Sequence, residues 1–175
     1  MSTHLNDPAE AQSRLWDEIR KVRYGMLGLT GLRSGGHFQP MTAFCEPETG
    51  EIWFFTLNQT DLARATVEPS DAMFVIQAKD QAFQACLGGR LQQRYDRARM
   101  DRYWNPVVAA WYPEGKDDPS LTLLRFAAHD AQVWISEGGP VRFAWEIAKA
   151  NLTGKTPDVG ESGSLSFGED TTNRF

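Results

Sequence analysis

Between residues 24 and 91 apolar, β-branched and aromatic runs alternate with turn signals, although no internal sequence repeat is evident. Tyr24-Gly25-Met26-Leu27-Gly28-Leu29-Thr30 is strand-like, and residues 31–36 read as a turn. A second strand is expected over 38–44, a hairpin loop over 46–50 and a third strand over 51–56. Residues 72–77 and 82–91 supply a fourth and fifth, joined across Lys79-Asp80. Strand after strand with mostly short connections indicates an antiparallel sheet, and closing it would leave no exposed edge.

Helices flank this β-rich centre. Asp7-Pro8-Ala9-Glu10 is a helix start, with a capping carboxylate, a proline suited to the first turn and Glu three residues after the cap. Leu15, Ile19 and Val22 follow at helical spacing, with Trp16 beside them, and the helix should end near Arg23. Short helices are expected over 60–67, 97–104 and 106–111, strands over 121–126 and 130–135, and a helix over 140–150. From residue 153 Gly, Ser, Thr, Asp and Glu dominate, which predicts a flexible tail over 153–175 behind a single domain over 1–152. Gly88-Gly89 is a candidate bulge where the backbone bends.

Charge and side-chain chemistry narrow the function. A net charge of −5 argues against nucleic acid, whose binding requires a basic face. The cluster from Arg90 to Arg102 is interrupted by Asp96 and Asp101 and reads as a solvated face. Cys45 and Cys86 are expected as buried free thiols, and no Cys or His spacing suggests a metal. No signal peptide or membrane span is legible, so a cytoplasmic location without a membrane partner is expected. Neither a Ser/His/Asp set nor a Walker or Rossmann glycine pattern is present. Six Trp and ten Phe are many for 175 residues and suit a binding surface or interface.

Four segments, in order, carry a resemblance: His37-Phe38-Gln39-Pro40-Met41-Thr42; Gly50-Glu51-Ile52-Trp53-Phe54-Phe55-Thr56; residues 84–91 with Gly88-Gly89-Arg90; and Tyr103-Trp104-Asn105-Pro106 continuing to Trp111-Tyr112-Pro113-Glu114-Gly115-Lys116-Asp117-Asp118-Pro119. Together they resemble the general stress proteins of the pyridoxamine 5′-phosphate oxidase-like family, over roughly residues 15–150. The resemblance implies a mostly β fold with flanking helices, a dimeric split β-barrel that holds FMN at the interface of a homodimer. Carried over, Gln39, Pro40 and Met41 would lie along the flavin edge, and Phe55 and Thr56 would contact it through backbone and hydroxyl. Thr60 and Asp61 would open the phosphate-facing helix, Gln84 would reach the isoalloxazine, and Trp111 would come from the partner subunit.

The residues also have plainer readings. Trp53, Phe54 and Phe55 alternate along a strand, so part of that set is core whatever the ligand. Dimer packing accounts for Trp104 and Trp111 as well as a ligand does, and Gln84 fits a polar sheet face.

Two departures bear on the cofactor. Gln39 stands where the family has Arg, and Leu62 where it has Lys. Hydrogen bonds to a charged group contribute about 1.5–3 kcal/mol each, so losing both costs about 3–6 kcal/mol, on the order of 10²–10⁴ in affinity. Arg64 and Arg33 are the candidate replacements. The leading expectation is an FMN-binding protein of the general stress type without pyridoxamine phosphate oxidase activity, since residues 153–175 lack that enzyme's arginine-and-serine-rich substrate segment. The alternatives are an FMN-dependent oxidoreductase of unknown substrate and a flavin-free dimeric barrel that has lost phosphate binding.

Overall fold

The computed structural model describes residues 7–31, 36–136, 147–152 and 160–167. Helix α1, Pro8–Val22, opens as the sequence predicts: the Asp7 carboxylate accepts from the Ala9 and Glu10 amides at 2.9 and 3.2 Å. Its buried residues, Ala11, Leu15, Trp16 and Ile19, form one stripe, and Arg23 ends it in the left-handed region at φ 62°.

The rest is one antiparallel sheet of eight strands: β1 Tyr24–Leu29, β2 Gln39–Thr42, β3 Phe44–Glu46, β4 Glu51–Leu57, β5 Ser70–Gln77, β6 Phe83–Arg94, β7 Leu121–Ile135 and β8 Glu161–Ser166. Neighbours run β2-β1-β5-β6-β7-β4-β3, with β8 also on β7. The expected second strand is two strands here. Only Ala43 separates β2, which pairs with β1, from β3, which pairs with β4. The two ends of the strand order are therefore consecutive in the chain, and the sheet curls into a half-barrel around its core. Phe54, Phe74, Phe83 and Phe126 are fully buried within it.

The strands expected over 121–126 and 130–135 are one continuous β7. Its polar middle, His129-Asp130, is where the register slips: Gly88 faces Asp130 and Gly89 faces Ala128, leaving His129 as the extra residue of a bulge. Gly89 is required there, because a Cβ would sit 2.2 Å from the Ala127 carbonyl oxygen. The first half of β7 pairs with β4 and the second with β8 on the same side.

That second pairing corrects the expected tail. Residues 161–166 form a strand, Leu165 and Phe167 are buried, and the Phe167 ring packs 5.6 Å from Trp16 of α1. Composition suggested disorder because the segment is polar, but a strand that completes an existing edge needs few apolar anchors. Residues 153–159 and 168–175 lie outside the described residues, as do 140–146 of the expected helix, whose remainder is helical over 147–152.

Three short helices complete the fold: α2 Asp61–Ala65, α3 Arg97–Tyr103 and α4 Pro106–Trp111. Of these, α3 and α4 give β4 a second covered face. Ile52 and Phe54 point into the half-barrel, whereas Trp53 and Phe55 join Met100, Val108, Leu121 and Leu123 in a separate cluster beneath α3 and α4. A half-buried polar knot fastens this layer. Arg99 donates to both oxygens of Glu46 at 2.9 and 3.2 Å, pairs with Asp96 at 2.7 Å, and lies 4.2 Å over the Trp53 ring. Burial pushes the Glu46 carboxyl up, but hydrogen bonds from Arg99 and Tyr103 and the charges of Arg99 and Arg102 outweigh it, so Glu46 titrates below its ordinary 4.5. Among the described residues no helix is long and apolar enough to cross a membrane.

Candidate functional site

Where β2, β4 and α4 meet, the curled sheet leaves a cavity of about 560 Å³, within the range of small-molecule sites. Pro40, Met41 and Thr42 form one wall, Phe55, Thr56 and Thr60 another, and Val107, Val108 and Trp111 a third. Strand alternation aims Phe55 outward from the half-barrel, and α4 then provides the cover that makes a cavity of that outer face. Phe44 sets the boundary, edge-on to Phe55 at 5.7 Å and stacked on Tyr103 at 4.9 Å.

Of the nine expected site residues, Pro40, Met41, Phe55, Thr56, Thr60 and Trp111 come together here. Trp111 of this chain lines the cavity. Gln39 is exposed at the start of β2 and is not part of the lining. Asp61 is exposed at the first position of α2, also outside it. Gln84 lies on β6 opposite Trp134, and its amide donates to the Gln81 carbonyl at 2.6 Å. Cys45 and Cys86 are free and half-buried rather than fully buried.

No charged residue among the described residues lines the cavity. Leu62, at the family's lysine position, is a core residue only 9% exposed. Arg64 is exposed in the last turn of α2 and does not reach the lining, and Arg33 lies outside the described residues. The hydroxyls of Thr56 and Thr60 are already engaged. Thr60 Oγ1 donates to the Leu57 carbonyl at 2.9 Å and accepts from the Ala63 amide at 3.3 Å, and it lies 3.1 Å from Thr56 Oγ1. With its single proton on Leu57, Thr60 must be the acceptor from Thr56.

Tyr112, Tyr24 and Leu57 also line the cavity without having been singled out by the sequence pattern. Tyr112 is the informative one. Its phenol makes no hydrogen bond among the described residues, and burial pushes its pKa up to about 12. It is therefore a neutral donor available to a ligand. Its place directly after Trp111, at the end of α4, was the available signal.

The site is thus a flat-walled, aromatic, uncharged cavity on the outer face of a curled antiparallel sheet, roofed by a short helix. That description fits an aromatic ring system better than a charged ligand. The chain belongs to the pyridoxamine 5′-phosphate oxidase-like family, whose model matches residues 10–158. A protein from Jannaschia sp. CCS1 described as a general stress protein 26 is 39% identical, with a TM-score of 0.76 over 91% of this chain and 99% of that one. The general stress FMN/FAD binding protein of Xanthomonas citri is 39% identical, with a TM-score of 0.69 over 75% of this chain and 92% of its own. A general stress family protein of Xanthomonas campestris pv. campestris is 40% identical, with a TM-score of 0.70 over 77% and 93%. Among curated proteins no match is found.

Proposed function

We propose that this chain is a flavin-binding protein of the general stress type, a split β-barrel that works in the cytoplasm as a homodimer and takes the FMN ring in the cavity of β2, β4 and α4. The observation that carries this reading is the convergence of Pro40, Met41, Phe55, Thr56, Thr60 and Trp111, distant in sequence, on one aromatic cavity. A flavin ring needs flat apolar faces with a few polar groups at its rim, and Phe55, Trp111, Thr42 and Tyr112 are of those kinds. The rim supports the dimer: Tyr24, Val107 and Trp111 are 57%, 58% and 78% exposed, large apolar groups that a second subunit would cover.

The ring fits this site better than the phosphate does. With no cation among the described lining residues, FMN is expected to bind in the micromolar range, with the phosphate adding little. We assign no pyridoxamine phosphate oxidase reaction to the chain. The uncharged lining also favours a second reading, a barrel that has exchanged its flavin for another flat apolar ligand. Titrating purified full-length protein with FMN, followed by quenching of flavin fluorescence, separates the two. Saturable one-per-chain binding supports the flavin, and no binding at hundreds of micromolar leaves the second reading. Sedimentation velocity tests the dimer, which a monomer at micromolar concentration would refute.

A further inference from the structure

On the other side of Phe44 from the flat-walled cavity lies a second cleft, of about 370 Å³ and opposite character. Arg20 and Arg23 reach it from the end of α1 and Arg102 from α3. Ala43, Cys45, Trp104 and Asn105 form part of the lining, and no acidic residue among the described residues does. In a chain of net charge −5, three arginines from two separate elements facing one cleft require an explanation.

Structural roles explain only part of this arrangement. The carbonyl end of a helix attracts cations, which suits Arg20 but not Arg102, which is carried by another helix. Arg20 pairs with Asp17 at 3.3 Å and Arg102 with Glu46 at 3.4 Å, but both arginines stay more than half exposed. Glu46 is already taken by Arg99 and Tyr103. Arg23 has no ion-pair partner among the described residues, and its left-handed backbone at φ 62° suits Asn or Gly better than Arg. A long cation at such a position, without a partner and beside two more, has the features of an anion site.

We propose that Arg20, Arg23 and Arg102 form a second binding site, which takes a phosphate-class oxyanion in the cleft between the end of α1 and α3. The guanidiniums supply forked donors suited to such an anion, and no lining carboxylate opposes it. The anion has two possible sources: the phosphate of the molecule whose ring occupies the neighbouring cavity, or a separate phosphorylated compound. This site stands on its own residues and does not require that the cavity bind flavin.

The test is a titration of the full-length protein, freed of any bound flavin, with inorganic pyrophosphate at low ionic strength. Calorimetry and the fluorescence of Trp104, which lines the cleft, report binding. Saturable one-to-one binding is expected, weakened by salt and weakened roughly tenfold by Arg23→Asn. Asn keeps the left-handed backbone, and Arg102→Gln serves as the second variant. Arg90→Gln, on β6 and paired with Asp71, is the control and should leave binding unchanged. No saturable binding, or equal loss in Arg90→Gln and Arg23→Asn, overturns the proposal. Repeating the titration with FMN present assigns the source. If FMN competes, and Arg23→Asn weakens FMN but not riboflavin, the cleft holds the flavin phosphate. Undiminished pyrophosphate binding beside FMN means that it serves a separate anion. A protein that binds pyrophosphate and no flavin would sink the flavin reading and uphold the cleft.

Discussion

Gln39→Arg asks whether the missing cation is what limits FMN binding. Gln39 begins β2 beside Pro40, which lines the cavity, and shares its face of the pleat with Met41, which both lines the cavity and packs against the half-barrel core. Gln39 is exposed and belongs to no core cluster, so an arginine adds charge near the rim without displacing packed atoms. A hydrogen bond to a phosphate contributes about 1.5–3 kcal/mol, and solvent screening at an exposed position favours the lower end. A gain of about 1.5 kcal/mol is roughly tenfold in Kd. The assay is fluorescence-quench titration of wild-type and variant protein with FMN and with riboflavin, at two salt concentrations. FMN should tighten about tenfold and riboflavin not at all, with the gain shrinking in high salt. The reasoning is refuted by an unchanged FMN affinity, or by an equal gain for riboflavin, in a variant whose Tm matches wild type. Leu62→Lys is not the equivalent repair. Leu62 packs in the core, so that change removes about 1.5–3 kcal/mol of apolar burial and adds a charge to be desolvated.

Other expectations follow from the same geometry. Tyr112→Phe should weaken flavin binding by about fivefold, the worth of one neutral hydrogen bond, with no loss of Tm; an unchanged Kd would remove Tyr112 from the site. Truncation after residue 159 removes β8 and exposes Trp16, costing about 3–5 kcal/mol through Leu165 and Phe167 and lowering Tm by roughly 10 °C. Thermal melts of the truncated and full-length chains check this. The folded-state pKa of Glu46 lies below its unfolded value, so its contribution is complete above about pH 4.5 and is lost as pH falls through the folded pKa. Urea midpoints from pH 7 to pH 3 should fall in wild type and fall less steeply in Glu46→Gln, which starts lower.

Most of the strand order was legible because turn residues punctuate it: Gly50 takes φ 67° in the β3–β4 turn, where glycine is strain-free. The misreadings have physical causes. The β2–β3 division is invisible in 38–44 because an unbroken run of strand residues does not say when its pairing partner changes. The break expected at 127–129 reflects the polar His129 in mid-strand, and only the register shows that it is the extra residue of a bulge. The β8 segment is too polar to be recognised as a strand, and its place depends on the edge of β7 that β4 leaves unpaired. At the site, six positions were legible from motifs. Tyr112 was signalled only by its place after Trp111, because an unpaired phenol is a property of packing, which spacing along the chain does not reveal.

Phe44 is where the two clefts must be understood together. It is held from both sides, by Phe55 in the neutral cavity and by Tyr103 in the cationic cleft, and Tyr103 donates to Glu46 at 2.7 Å. Glu46 is bound in turn by Arg99 and Arg102, and Arg102 also lines the cationic cleft. The wall between the clefts is thus tied to the charge on one side of it. An anion drawn to Arg102 would compete with Glu46 for that guanidinium, whereas Glu46 keeps its partners Arg99 and Tyr103. The polar knot beneath α3 therefore stays closed while Arg102, at its exposed margin, is free to turn toward a ligand. Substituting Arg102 should accordingly cost little stability, and substituting Arg99, which holds Glu46, Asp96 and the Trp53 ring at once, should cost far more.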